Sequence, residues 1–202
     1  MSKHSNTFLA LGDSYTIGEG VPLYESFPYQ AVQMLRAKGY HFHAPEIIAK
    51  TGWTTFELAE SILHTRLNAP YDFVTLLIGV NNQYRNLLAD DYKNDFEFIL
   101  KKAIHLSGEN AGHVIVLSIP DWGTTPFAKG RDSKKIAQEI DLFNSINKEL
   151  AARYKVRYLD ITPGSREANK TTSMLAADKL HPSGKEYARW AELVMEVVSG
   201  EL

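Results

Sequence analysis

The chain has 202 residues, 44% of them hydrophobic and 23% charged, enough to bury one proper core and too few for two comfortable domains. Lys and Arg total 22 against 24 Asp and Glu, a net charge of -2, so there is no basic footprint for a nucleic acid. The absence of cysteine removes disulfides, thiolate metal sites, a thiol nucleophile and a lipidated cysteine anchor together.

In chain order, short apolar runs alternate with longer amphipathic ones. Phe8–Leu11, Glu46–Ala49, Phe73–Ile78, Val114–Ile119 and Val156–Leu159 read as strands, too short for helices and mostly rich in β-branched residues. None approaches the roughly 18 to 20 apolar residues of a membrane span, and Phe8–Leu11 is too short for the apolar region of a signal peptide. The expected location is cytoplasmic, or secreted should a leader have been removed.

A helical pattern follows each strand. Ser26 is a candidate cap for a helix with Ala31, Met34 and Leu35 on one face, ended by Gly39. Thr54 and Glu57 have capping-box spacing ahead of Ala59, Ile62 and Leu63, and Asp91 is a candidate cap for the run through Phe96, Ile99 and Ala103. Ser133 precedes Ile136, Ile140, Phe143, Ile146 and Leu150, and the pair Ser183/Glu186 precedes Tyr187, Trp190, Val194 and Val198. Five strands interleaved with five helices predict an α/β fold, a parallel sheet with helices on both faces, in one domain over 1–202.

In such sheets ligands bind beyond the carboxyl ends of the strands. Polar motifs stand at those places: Gly12-Asp13-Ser14, Thr51-Gly52-Trp53, Gly79-Val80-Asn81-Asn82 and Pro120-Asp121-Trp122-Gly123. After the fifth strand comes a long connection, Asp160 to Pro182, in which a short turn near Ser173 to Ala177 is expected.

A serine hydroxyl becomes a nucleophile when a histidine, held in the right tautomer by a carboxylate, takes its proton. Asp178-x-x-His181 offers that pair within one bend, and Pro182 favours an extended His181. Alone, Ser14 reads equally as a turn residue and Asp178 as a turn cap. There is no G-x-S-x-G elbow, so the serine needs another strand-to-helix turn. The negative oxygen of a tetrahedral intermediate needs neutral donors already in place; the Gly52 N–H and the Asn81 side-chain amide are candidates, each also readable as a turn residue.

Taken together, Gly12-Asp13-Ser14-Tyr15, Gly52, Gly79-Val80-Asn81-Asn82 and Asp178-x-x-His181-Pro182 resemble the SGNH, or GDSL, hydrolases, from about residue 8 to the last helix. Within that span, Gly79 to Arg85, Ser118 to Phe127 and Asp160 to Ser183 are similar to the small bacterial lipase/acylhydrolase-like esterases of the family. The resemblance implies a three-layer flavodoxin-like fold with a five-stranded sheet, and ester hydrolysis on small-molecule esters with no metal and no cofactor. It also implies Ser14 as nucleophile and first oxyanion donor, Gly52 and Asn81 as the other donors, Asp178 as orienter and His181 as base. Tyr15 stands where the motif has leucine, and Asn82 where many members have aspartate.

Asp13, Trp53, Asn82, Tyr84 and Trp122 are the expected substrate-binding residues, with Arg85 and the Trp122 to Arg131 loop on the same edge. His41-x-His43 lacks a third ligand nearby, Asn169-Lys170-Thr171 is a short sequon, and Gly18-Glu19-Gly20 lacks the rest of a phosphate loop; none enters the reading. Acetyl or another short acyl group is the first expectation, a carbohydrate being one candidate alcohol, because no long apolar stretch suggests a lipid lid. Lysophospholipid or thioester hydrolysis on longer chains, and a non-catalytic flavodoxin-like binding module, are the alternatives.

Overall fold

The computed structural model describes residues 5–202. Its core is a five-stranded parallel sheet in the order β2-β1-β3-β4-β5, built from β1 (Phe8–Gly12), β2 (Glu46–Ala49), β3 (Phe73–Leu77), β4 (Val114–Leu117) and β5 (Arg157–Leu159). The sequence of the three central strands explains their place. FLALG, FVTLL and VIVL carry little that needs water and are buried at every position, whereas β2 and β5 at the edges are only partly covered.

Eight α-helices surround the sheet among the described residues: α1 (Ser14–Ile17), α2 (Phe27–Ala37), α3 (Thr55–His64), α4 (Val80–Tyr84), α5 (Ala89–Leu106), α6 (Ser133–Tyr154), α7 (Thr162–Ala168) and α8 (Gly184–Ser199). α2 and α8 pack on each other, while α5 packs against both α3 and α6. Right-handed crossovers put the first pair on one face and the other three on the opposite face. The five long helices are the expected ones; α1, α4 and α7 are additional short ones.

Several caps differ from expectation. The hydroxyl of Ser26 donates to Leu23 O (2.8 Å) instead of capping α2. α5 begins at Ala89, which puts Asp91 inside its first turn, where a carboxylate still suits the helix dipole. Asp132, not Ser133, caps α6, accepting from the N–H groups of Lys134 and Lys135 (3.1 and 3.0 Å). The Ser183/Glu186 box does not form: Glu186 turns inward to Trp190 Nε1 (2.9 Å) and Arg189 (2.8 Å), and the Ser183 hydroxyl donates to Ser173 O. At α3 the expected pair does meet, Glu57 Oε2 accepting from the N–H and hydroxyl of Thr54 (2.7 and 2.9 Å).

The Asp160 to Pro182 connection holds more structure than expected. The hydroxyl of Ser118, at the end of β4, accepts from the N–H groups of Ile161 and Thr162 (2.8 and 3.0 Å) and so caps α7 from another strand. Beyond it come a 3₁₀ turn at Thr172–Met174 and an antiparallel bridge between Leu175 and Pro182. Among the described residues no helix is long and apolar enough to cross a membrane.

The end of β1 carries a buried carboxyl group. Asp13 is 1% exposed, its carboxylate accepting from the N–H of Tyr15 (3.0 Å), and burial raises its pKa to about 7 against the lowering pull of that bond. The folded protein therefore holds a proton that the unfolded chain, titrating near ~3.9, has lost. Stability should fall as pH rises from about 4 to about 7 through this group, and level off above. Asp13→Asn keeps the acceptor for Tyr15 and removes the charge, so urea unfolding should show the variant gaining on the wild type between pH 5 and pH 8. An equal difference at both pH values would mean that Asp13 is not held protonated.

Candidate active site

Three loops come together because three strand ends are level. Gly12 is in register with Ala49 of β2 and with Leu77 of β3, so the segments that follow emerge side by side. They flank the point where the chain order reverses across the sheet, the usual crevice of this topology. Gly12 is required by crowding: a Cβ there would lie 2.1 Å from Thr16 Oγ1 and 2.4 Å from Leu77 O.

From this edge β1 turns directly into α1. Asp13 caps the helix, taking the N–H of Tyr15 on its side chain and those of Thr16 and Ile17 on its carbonyl (3.0 and 3.1 Å). Ser14 is the first helical residue, and its own N–H is left for another acceptor. Its hydroxyl meets His181 Nε2 at 3.0 Å, although the two residues are 167 positions apart.

The imidazole is held from behind. His181 Nδ1 lies 2.6 Å from Asp178 Oδ2, while Asp178 Oδ1 accepts from the N–H groups of Leu180 and His181 (2.9 and 3.0 Å). With Nδ1–H donating to the carboxylate, Nε2 is the acceptor facing Ser14. Partial burial pushes the Asp178 pKa up, but the bonds from His181 and from the two backbone N–H groups outweigh it and hold the carboxyl below its ordinary range. The carboxylate stays charged and can steady an imidazolium. The ring of Tyr15, 3% exposed, lies 5.1 Å from the imidazole and shields it.

After β2, Gly52 takes φ +84°, a conformation that favours glycine, and its N–H makes no hydrogen bond among the described residues. After β3, Asn81 donates one side-chain N–H to Trp53 O (2.9 Å), which leaves the other free. Ser14, Gly52, Asn81 and His181 all border one cavity of about 220 Å³. Val80, Tyr84, Trp122, Phe127 and Leu180 give it an apolar wall. Trp122 is fixed there, its indole N–H on Gln83 Oε1 (2.6 Å) and Gln83 in turn on Glu139 (2.8 Å).

Of the expected substrate-binding residues, Tyr84 and Trp122 line the cavity and three do not. Asp13 is buried beneath the turn. Trp53 packs its ring against the core and offers only its carbonyl, to Asn81. Asn82, 2% exposed, accepts from Thr55 N–H (3.0 Å) and donates to Thr55 Oγ1 (2.8 Å), which itself donates to Asp95 (3.1 Å). Asn82 thus ties the loop after β2 to α4, and through Thr55 to Asp95, and is not among the residues bordering the cavity. Val80, Phe127 and Leu180 are lining residues without a sequence signal of their own, being ordinary apolar residues of loops and helix starts.

Elsewhere, Phe42 bridges Asn6 between His41 and His43, and among the described residues no three His, Cys, Asp or Glu side chains converge as metal ligands would. The amide of Asn169 is engaged by Asp121 O and Thr124 Oγ1 (2.9 and 2.8 Å).

Residues 10–189 match the GDSL-like Lipase/Acylhydrolase family. No curated protein is significantly similar to the chain in sequence. Among solved structures, a lipase/acylhydrolase from Enterococcus faecalis is 21% identical with a TM-score of 0.76, the alignment covering 98% of this chain and 97% of that one. The acetylxylan esterase Axe2 from Geobacillus stearothermophilus is 18% identical with a TM-score of 0.75, covering 98% and 96%. The psychrotrophic esterase EstA from Pseudoalteromonas sp. is 14% identical with a TM-score of 0.71, covering 97% and 96%. With the family match running across nearly the whole chain and the same three-layer fold in these esterases, the protein belongs to the GDSL-like lipase/acylhydrolase family and is a carboxylic ester hydrolase.

Proposed function

We propose that the protein is a serine esterase that works through an acyl-enzyme, with acetyl or another short acyl group as its substrate class. The observation that carries the reading is the unbroken relay from Asp178 to His181 Nδ1 and from His181 Nε2 to Ser14 Oγ, at 2.6 and 3.0 Å, opening on a cavity.

In the first half-reaction Ser14 Oγ attacks the ester carbonyl carbon while His181 Nε2 takes the hydroxyl proton. Charge collects on the carbonyl oxygen, which the N–H groups of Ser14 and Gly52 and the side-chain amide of Asn81 receive. These donors are neutral and already oriented, so little reorganisation accompanies the step. The alcohol leaves with the proton from His181. Water then enters, gives its proton to the same nitrogen and attacks the acyl carbon, releasing the acid and restoring Ser14. Asp178, kept ionised, stabilises the imidazolium in both halves.

The cavity, at about 220 Å³, is below the ~300–1,000 Å³ of sites for drug-sized ligands, and its apolar wall suits a small acyl group. A fold like that of an acetylxylan esterase supports a carbohydrate as the alcohol. A second reading, hydrolysis of longer acyl esters or thioesters, is favoured by the outer wall, where Tyr84 and Phe127 remain 42% and 45% exposed and would receive a chain running out of the cavity.

Ser14→Ala should lower turnover of an activated acetyl ester by a factor on the order of 10⁶ with the fold intact by circular dichroism. Unchanged turnover would take Ser14 out of the mechanism. Asn81→Ala should raise the barrier by ~3 kcal/mol; a kcat within threefold of wild type would leave Asn81 only its bond to Trp53. Rates on acetyl, butyryl, octanoyl and thioester substrates, each beside the Ser14→Ala control, decide between the two acyl classes.

A further inference from the structure

Four consecutive residues after β2 are each gripped by a side chain. Gly52 O accepts from Arg85 Nη2 (2.5 Å) and Trp53 O from Asn81 Nδ2 (2.9 Å), while Thr54 N–H donates to Glu57 (2.7 Å) and Thr55 N–H to Asn82 (3.0 Å). Three of these side chains come from Asn81, Asn82 and Arg85, the segment of α4 and its C-terminal cap. Arg85 is itself braced by Glu57, 3.3 Å from Nη1.

The grip on Gly52 bears on where its N–H stands. Residues 50–53 form a turn closed by the Trp53 N–H on Lys50 O (3.2 Å), with Gly52 in the third position at φ +84°. That φ belongs to a type II turn; in a type I turn the third residue has φ near about −90°. The two forms differ by rotation of the central peptide, and the N–H of that peptide is the Gly52 donor. Glycine permits both forms, so residue type alone does not choose. The Arg85 bond is to the following peptide, whose carbonyl both turn forms place alike; what it does is anchor Gly52 itself, with the guanidinium 3.6 Å from where a Cβ would stand.

We propose that Arg85 is a positioning residue for the oxyanion site: bridging Glu57 and the Gly52 carbonyl, it anchors Gly52 to the α4 segment that carries Asn81 and so fixes where the Gly52 N–H stands relative to the reacting carbonyl. The inference rests on the proposed role of Gly52 as a donor. Because the bond is to backbone and not to substrate, its loss weakens the transition state more than ground-state binding, so kcat moves and KM does not. Lysine can still donate to the carbonyl, but its compact ammonium lacks the fork that spans both partners.

The test compares Arg85→Met, Arg85→Lys and Asn81→Ala on an activated acetyl ester, together with the rate at which a phosphonate probe labels the protein. Arg85→Met should lower kcat by tenfold to a hundredfold, on the order expected for a displaced or lost oxyanion donor, with KM within about twofold and labelling of Ser14 slowed in parallel. Arg85→Lys should fall between Met and wild type, at a melting temperature close to wild type, which separates positioning from unfolding of the loop. Adding Glu57→Gln to Arg85→Met should cause little further loss, since the brace is already gone. A kcat within twofold of wild type for Arg85→Met, or a loss carried by KM, overturns the proposal. If Arg85→Met is silent while Asn81→Ala is slow, only the Arg85 inference falls. A probe bound elsewhere than Ser14 brings down the underlying reading instead.

Discussion

The level ends of β1, β2 and β3 are the constraint on which the site depends. A parallel ladder fixes the relative height of its strands, and here it sets Gly12 beside both Ala49 and Leu77. Each chain then has only two to four residues in which to reach Ser14, Gly52 or Asn81, so the spread of their positions is small before any loop interaction is made. Close packing of the three central strands on both faces makes that register hard to slip, because a one-residue shift would press each side chain into a layer packed around another.

On this base, the second level of order is side chain on backbone. The α4 segment reads the loop after β2 almost residue by residue, and Asp13 collects three N–H groups of the turn that carries Ser14. Bonds within each loop are joined by bonds between them, Asn81 to the Trp53 carbonyl and Arg85 to the Gly52 carbonyl, which tie the two donor loops together. The apolar wall is built likewise: Trp122 is anchored through Gln83 to Glu139 on α6, and the Arg131 guanidinium covers Tyr84 and Trp122 at 5.4 and 5.8 Å from their ring centres.

What could be read from the sequence was what period and composition encode. The five strands emerge within two residues of their observed ends, and the five long helices are all present. β4 stops short of Ile119 because the side chain of Asn144 takes the Ile119 N–H (2.7 Å), a choice made 25 residues away. α7 was not legible because its cap is Ser118 of another strand, and the Ser183/Glu186 box fails because a buried indole competes for Glu186. Motif spacing found the residues that meet at the cavity, Ser14, Gly52, Asn81 and His181, whereas Asp13, Trp53 and Asn82 stand off its lining, their places depending on which way a side chain turns from a shared edge. Arg85 stood out only as a residue on that edge; its bond to a glycine carbonyl has no sequence signature.

The 167 positions between Ser14 and His181 have a consequence for the timing of activity. The serine leaves the ribosome among the first residues of the sheet, while the imidazole is made after all five strands and docks with α8, which rests on α2 beside the early part of the chain. A nascent chain that has completed its sheet still has no imidazole opposite the Ser14 hydroxyl. The pair of hydroxyl and imidazole is thus a property of the completed sheet and not of any part of it, and it comes into being only when the segment up to His181 folds back onto the end of β1.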